Sequence, residues 1–376
     1  MKSGELIQSC ALAGVLLFLL LGFAPAQTNP PGFDDVFLQA TAARARDDVA
    51  RAIELYSQAV RIKPERPDGW WFLGSLQYEA EAYAASRDAL THFLGLVPDG
   101  GPAWALRGLC EFETGEYPQS LADIQQGLSL GAGKQPQDEQ VLRYHEALLL
   151  TRTGDFEGAM QRYASLAHGK VPNPEFLVAI GLAGLRAPLL PRELSPEKRD
   201  LFQSSGNAAY RFLSGEEAAA KPEFQKLFQR FPATANVHYL YGSLLYPGHP
   251  DHAIGEFNRE LEIDPSNASA QLMVAWDSLM RNDFPTALAY AEKAESGMSA
   301  SPAAQLVLGR ALVETGDLKD GLGMLEKELQ VEPDNLEVHY ALARAYSKSG
   351  RKDDARRERL LCLQMQSSAK SQEARR

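Results

Sequence analysis

The chain has 376 residues, 45% of them hydrophobic and 23% charged, with a formal net charge of −11 at pH 7. That apolar content excludes wholesale disorder, and the acidic balance speaks against general nucleic-acid binding, which needs a basic footprint. The length exceeds one compact core of usual size, so it calls for a repeat array or several domains.

Residues 1–26 read as a targeting segment. Lys2 precedes an apolar run, ALAGVLLFLLLGF at 11–23, and Ala24-Pro25-Ala26 then supplies small residues where a signal peptidase cuts, making Gln27 the expected mature start. The run is short against the roughly 20 apolar residues a bilayer span requires, but Glu5 and the weakly positive start keep an uncleaved anchor open as the alternative. Cys10 precedes the apolar run, which speaks against a bacterial lipoprotein site. Residues 27–32 form a short linker.

From residue 33 a 34-residue unit recurs, and it is stated most plainly at 302–335 and 336–369. Gly316 recurs as Gly350, Leu308 as Leu342, and Gly309 and Gly321 as Ala343 and Ala355. Leu306, Leu308, Leu312 and Val313 mark one amphipathic helix. Thr315-Gly316-Asp317 ends it, with Gly316 suited to a left-handed C-cap, and a second helix runs to near Pro333, which cannot continue a helix interior. The small residues Gly309 and Gly321 allow the two backbones to approach closely. Neither helix buries its apolar stripe alone, so neighbouring pairs must stack.

Earlier units follow the same plan at 33–66 (Ala40, Ala52, Tyr56, Pro64), 67–100 (Trp70, Leu73, Gly74, Pro98), 101–134 (Trp104, Gly108, Gly115) and 140–173 (Ala147, Gly154, Ala159, Tyr163), with 135–139 as a polar loop. Residues 174–187 then read as a buried apolar helix, and Pro188, Pro191 and Pro196 prevent regular structure after it. The period resumes at 201–234, 235–267 and 268–301 before the two closing units. The break at 174–200 is either a degenerate repeat that lost its second helix or a joint between two blocks, 33–173 with its trailing helix and 201–369. Residues 370–376 form a basic tail; over 348–376 nine Lys/Arg against four Asp/Glu give a local +5, which reads as a solvated capping helix.

The 34-residue helix–turn–helix unit resembles the tetratricopeptide repeat family over about 33–369. The resemblance implies an all-α, right-handed superhelical solenoid of about nine units. It also implies that the first helix of each unit lines a concave face that receives a peptide or protein segment. By position, the fifth, ninth and twelfth residues of the units then point into that groove: Phe37, Trp71, Tyr78, Phe112, Tyr239, Tyr246, Trp276, Arg310, Tyr340 and Arg344. Aromatics and arginine suit such a surface, because they bury large area at low rotamer cost. One subtype of the family clamps a terminal carboxylate with Lys and Asn at set groove positions. Phe37 and Thr41, or Ser205 and Ala209, stand there instead, which speaks against that mode.

Gly133-Lys134 and Gly169-Lys170 are followed by Gln135 and Val171, so no phosphate-binding loop of the GxxxxGK[ST] type is present, and GxSxG, HExxH and CxxC are absent. His249 and His252 could ligate zinc only if His238 or an acid converged on them; the plain reading is a polar turn. Cys110 and Cys362 fall in distant units and are expected to be free, buried thiols. Asn267-Ala268-Ser269 is a glycosylation sequon, informative only in a eukaryotic source. The expected function is a non-catalytic interaction scaffold, exported to a periplasm, with a protein or peptide partner, no cofactor, no metal and no nucleic acid. The alternatives are a membrane-tethered accessory subunit, should residues 1–26 be retained, and a metal-dependent activity at the His249/His252 turn.

Overall fold

The computed structural model describes residues 32–167 and 172–373, and all regular structure among them is helical. The leader reading of 1–26, the linker up to residue 31 and the last three residues of the basic tail lie outside the described residues. The chain divides into two compact units, one up to Gly206 and one from Asn207.

In the first unit the helices are α1 (Phe33–Ala45), α2 (Val49–Ile62), α3 (Pro67–Glu79), α4 (Tyr83–Leu96), α5 (Gly101–Thr114), α6 (Tyr117–Ser129), α7 (Pro136–Thr153), α8 (Phe156–Leu166) and α9 (Pro174–Gly184). A 3-10 turn at Pro191–Glu193 follows, and α10 (Pro196–Leu213) carries the chain across the boundary. The second unit holds α11 (Glu217–Arg230), α12 (Val237–Leu245), α13 (Pro250–Ile263), α14 (Ala268–Met280), α15 (Phe284–Gly297), α16 (Pro302–Thr315), α17 (Leu318–Val331), α18 (Leu336–Lys348) and α19 (Lys352–Glu373). Within each unit consecutive helices pack on one another, from α1 on α2 through α8 on α9 in the first and from α11 on α12 through α18 on α19 in the second.

The turn inside a pair needs a left-handed residue, and glycine adopts it without the Cβ penalty. Gly115 (φ 85°), Gly154 (92°), Gly316 (106°) and Gly350 (79°) fill it, while Asp47 and Asn282 do so with positive φ of 60° and 62°. The following helix is then capped by Asp48, Asp155, Asp283 or Asp317, whose carboxylate accepts the backbone N–H three residues on. Inside a pair, Gly309 and Gly321 bring the backbones together; a Cβ on Gly321 would lie 2.7 Å from the Gly309 carbonyl oxygen. The two cysteines are free and buried, with the Cys110 thiol donating to Ser86 Oγ at 3.2 Å.

Three local readings are corrected. Residues 136–139 are not loop: Pro136 occupies the first helical position, where its missing N–H costs nothing, and α7 runs 18 residues from it. Pro196 likewise starts α10 five residues ahead of the expected 201, so a proline read as a breaker acts as an initiator. Asn267 is not an open sequon; it is 8% exposed, caps α14 by accepting from Ala270 N at 3.0 Å, and its amide donates to Glu260 and Asn236.

Not every helical glycine is a close-packing device. Gly255 in α13 and Gly323 in α17 are exposed, and a Cβ at either position would have nothing within 4 Å. Gly255→Ala and Gly323→Ala are each expected to raise unfolding free energy by about 0.5–1 kcal/mol, through helix propensity and the unfolded-state entropy. Urea titration of the two variants checks this.

Candidate binding pocket

Ten first-helix residues are expected to open on a groove, and the structure treats them differently. Phe37 packs at ring centroid distances of 5.3 Å from both Phe33 and Tyr56. Trp71 is half-buried, 5.7 Å from Phe93. Tyr78, Phe112 and Tyr239 are 4%, 6% and 8% exposed, so these three fill space between helices instead of facing an open surface. For the twelfth position the reason is local. The ring reaches back across the turn to the start of the second helix, as in Tyr78 on Tyr83 at 5.5 Å and Phe112 on Tyr117 at 6.1 Å. Phe112 is covered further by Arg192 from the 3-10 turn, whose guanidinium lies 4.8 Å over the ring and donates to the Phe112 carbonyl and to Glu113. Tyr246 packs against Phe257 at 6.3 Å.

The other four candidates belong together. Arg310 on α16 and Tyr340 and Arg344 on α18 line one pocket of about 550 Å³, with Glu314, Glu337 and Arg359 also on its wall. Trp276 of α14 lies behind it, with the Arg310 guanidinium 4.9 Å over its ring. The pocket exists because α14, α16 and α18 are successive first helices that touch one another, so residues 34 apart, Arg310 and Arg344, recur on one face.

Its charges are unevenly answered. Burial alone would push the Glu314 carboxyl up, but hydrogen bonds from Arg344 and Lys348 outweigh it and hold the group below the usual glutamate range. Arg344 Nη2 donates to Glu314 at 3.0 Å and Lys348 Nζ at 2.7 Å. Arg310 Nη1 lies 3.7 Å from the half-exposed Glu337 and makes no hydrogen bond. Burial therefore pulls the Arg310 guanidinium down from the ordinary arginine range.

A second polar cluster lies in the first unit. Arg107 stacks over Trp104 and clamps Asp123, with Nη2 to Oδ1 at 3.0 Å, which leaves the buried Glu111 with one oxygen unpartnered. Burial, then the Asp123 charge, raises the Glu111 carboxyl from 4.5 to about 7. A raised acid costs stability as it ionises, so the chain is expected to lose stability as pH rises from about 4.5 through 7. Glu111→Gln should remove that dependence and gain on the order of 2 kcal/mol above pH 7. Thermal unfolding of both proteins between pH 5 and 8 measures it.

The histidine turn does not assemble a metal site. His249 and His252 stack 6.1 Å apart, His249 pairs with Glu217 at 3.2 Å, and His238 is held by Glu256 at 2.6 Å. No group of three or more His, Cys, Asp and Glu among the described residues could hold a metal ion. Nor is any helix among them long and apolar enough to cross a membrane.

One recurring device escapes the sequence pattern. The fourth residue of a unit donates to the carbonyl six residues earlier: Trp70 to Pro64 and Trp104 to Pro98 at 2.8 Å, Gln271 to Pro265 at 2.7 Å, Gln305 to Ser299 at 2.9 Å, and His339 to Pro333 at 2.9 Å. It ties each first helix to the loop that delivers it. In four of the five the donor stands six residues after a proline, and that recurrence is the signal that could have found it.

Comparison with known proteins finds tetratricopeptide repeats in two stretches of the chain. Residues 37–101 and 316–358 match family models described as tetratricopeptide repeat. The plant "Protein CTR9 homolog" of Arabidopsis thaliana is 23% identical over 314 residues, covering 81% of this chain but 26% of its own length. The chain thus spans about a quarter of that curated relative. Among solved structures, yeast Tom70 is 12% identical with a TM-score of 0.35 (89% of this chain, 84% of that one). MamA is 17% identical at 0.37 (44% and 96%), and YrrB, described as a TPR protein with an unusual peptide-binding site, is 13% identical at 0.31 (63% and 88%). Those two stretches carry tetratricopeptide repeats, and the described residues form an all-α array of paired helices.

Proposed function

We propose that this chain is a non-catalytic scaffold that takes a segment of a protein partner in the pocket between α16 and α18. The observation that carries the reading is the convergence of Arg310, Tyr340 and Arg344 around an open pocket of about 550 Å³, backed by Trp276. Tyr340 is 42% exposed there, whereas the groove candidates Tyr78, Phe112 and Tyr239 are buried. An exposed tyrosine beside arginines on touching, internally paired helices is the composition of a binding hot spot. The pocket is of the size that holds a few side chains.

The segment 1–26, with its apolar run and Ala24-Pro25-Ala26, supports export to a periplasmic or other extracytoplasmic compartment. Retention of that segment would instead tether the scaffold at a membrane as an accessory subunit, and N-terminal sequencing of the mature chain separates the two. The partner reading is tested by affinity capture from envelope extract with wild type and Trp276→Ala/Tyr340→Ala, after circular dichroism shows both equally helical. A partner retained by wild type and lost by the variant is the expected result. Identical capture by both overturns the reading.

A further inference from the structure

We propose that the α16–α18 pocket recognises an acidic side chain of the partner segment, its carboxylate bonded to Arg310 and flanked by Arg344. This rests on the scaffold reading above and names the chemistry of that same site. The guanidinium of Arg310 lies over Trp276, its carbon 4.9 Å from the ring centroid, and its N–H groups must find acceptors elsewhere. One of them, Nη1, is buried and has none. The carboxylates already present do not answer it. Glu314, its side chain 7% exposed, is committed to Arg344 and Lys348. Glu337 is 51% exposed and 3.7 Å off, an ion pair without a hydrogen bond.

The wall therefore carries three arginines, Arg310, Arg344 and Arg359, against two glutamates, one of them spent. Arg359 uses its Nε on the Ala355 carbonyl at 3.2 Å. Nη1 is already shut from water, and a neutral or cationic segment entering here would also cover the 21% of the Arg310 side chain still open and leave its donors unmet, which is costly. A carboxylate would meet it with a charge-assisted bond, the strongest hydrogen bond this pocket can form. The exposed Tyr340 ring, its hydroxyl tied to Gln366, offers the apolar wall beside that anchor.

The test uses the full chain and a fluorescein-labelled, N-acetylated, C-amidated peptide of sequence Gly-Glu-Leu-Glu-Leu-Gly, with its Gln-for-Glu counterpart, followed by fluorescence anisotropy. At low salt the glutamate peptide is expected to bind about tenfold more tightly than the glutamine peptide, the yield of one charge-assisted bond. That preference should vanish in Arg310→Met, which keeps the stem on Trp276. It should also weaken in the more exposed Arg344→Met, which keeps the test decisive if the first variant misfolds. Equal binding of the two peptides, binding of neither, or a glutamate preference that survives Arg310→Met overturns the assignment. A partner captured at this pocket with no carboxylate at the contact would overturn it too, while leaving the scaffold reading intact.

Discussion

Gly206→Ala is expected to cost about 3 kcal/mol or more in urea unfolding, a severe case of overpacking. Gly206 in α10 faces α9, and a Cβ built on it would meet the Leu177 carbonyl oxygen at 1.7 Å and the Gly181 nitrogen at 2.9 Å. The obstacle is backbone on the facing helix, which cannot rotate aside as a side chain can. Gly181 reports the same contact from the other side, with Phe202 O at 1.9 Å from its built Cβ. Gly181→Ala should therefore cost about as much. Gly74→Ala is the control, since its Cβ would meet the rotatable Leu90 side chain at 2.9 Å and should cost about 1 kcal/mol. Equal losses at Gly74 and Gly206 would mean that α9 and α10 are not in backbone contact.

The second large effect concerns Glu260, on α13 and wholly buried. Its carboxylate accepts from Asn236 N at 2.6 Å and Tyr239 N at 3.1 Å, satisfying the open end of α12, and from the Asn267 amide at 3.1 Å. Asn236 enters α12 from a left-handed conformation, φ 68°, so its own side chain does not cap that helix. Glu260→Ala leaves the buried Tyr239 N–H and the half-buried Asn236 N–H unmet and takes one of two acceptors from the Asn267 amide, and it is expected to lose about 3 kcal/mol, since each orphaned donor costs roughly 1–3 kcal/mol before relaxation. Hydrogen exchange should show α12 opening first, because stability in a repeat array is locally distributed. Asn267→Ala, which removes one cap and two donations to neighbours, should lose about 1 kcal/mol. A Glu260→Ala loss no larger than that of Asn267→Ala would remove Glu260 from its place as the shared acceptor.

How much of this is legible in the chain depends on the kind of signal. The 34-residue period, Gly316 and Gly350 as left-handed stops, and the Gly309–Gly321 approach are all readable, because each follows from backbone geometry that few residue types satisfy. Pro136 and Pro196 mislead because a proline that ends one helix and a proline that begins the next look alike without the neighbouring fold. The ladder of Trp70, Trp104, Gln271, Gln305 and His339 stays hidden, since residues of unlike polarity share only a donor N–H at one position. Of the candidate groove residues, nine lie on first helices and Tyr246 just past the end of α12, but spacing does not say which rings fold back over their own turn. Tyr78 and Phe112, in the last turns of their helices, do so, with Tyr83 and Tyr117 five positions on offering rings to pack against, whereas Tyr340 sits mid-helix in α18 and stays exposed. Asn267 shows the converse, where a local sequence signature is right as a string and is overridden by burial.

The claim at the centre of this account is that the α16–α18 face is where a polypeptide partner is received. Placing the photo-crosslinker benzoylphenylalanine at Tyr340, and separately at exposed Lys327 on the second helix α17, tests it directly. The account predicts one discrete crosslinked partner from position 340, diminished by Arg344→Met, and none from position 327. Crosslinks of equal yield from both positions, or from 327 alone, would contradict it.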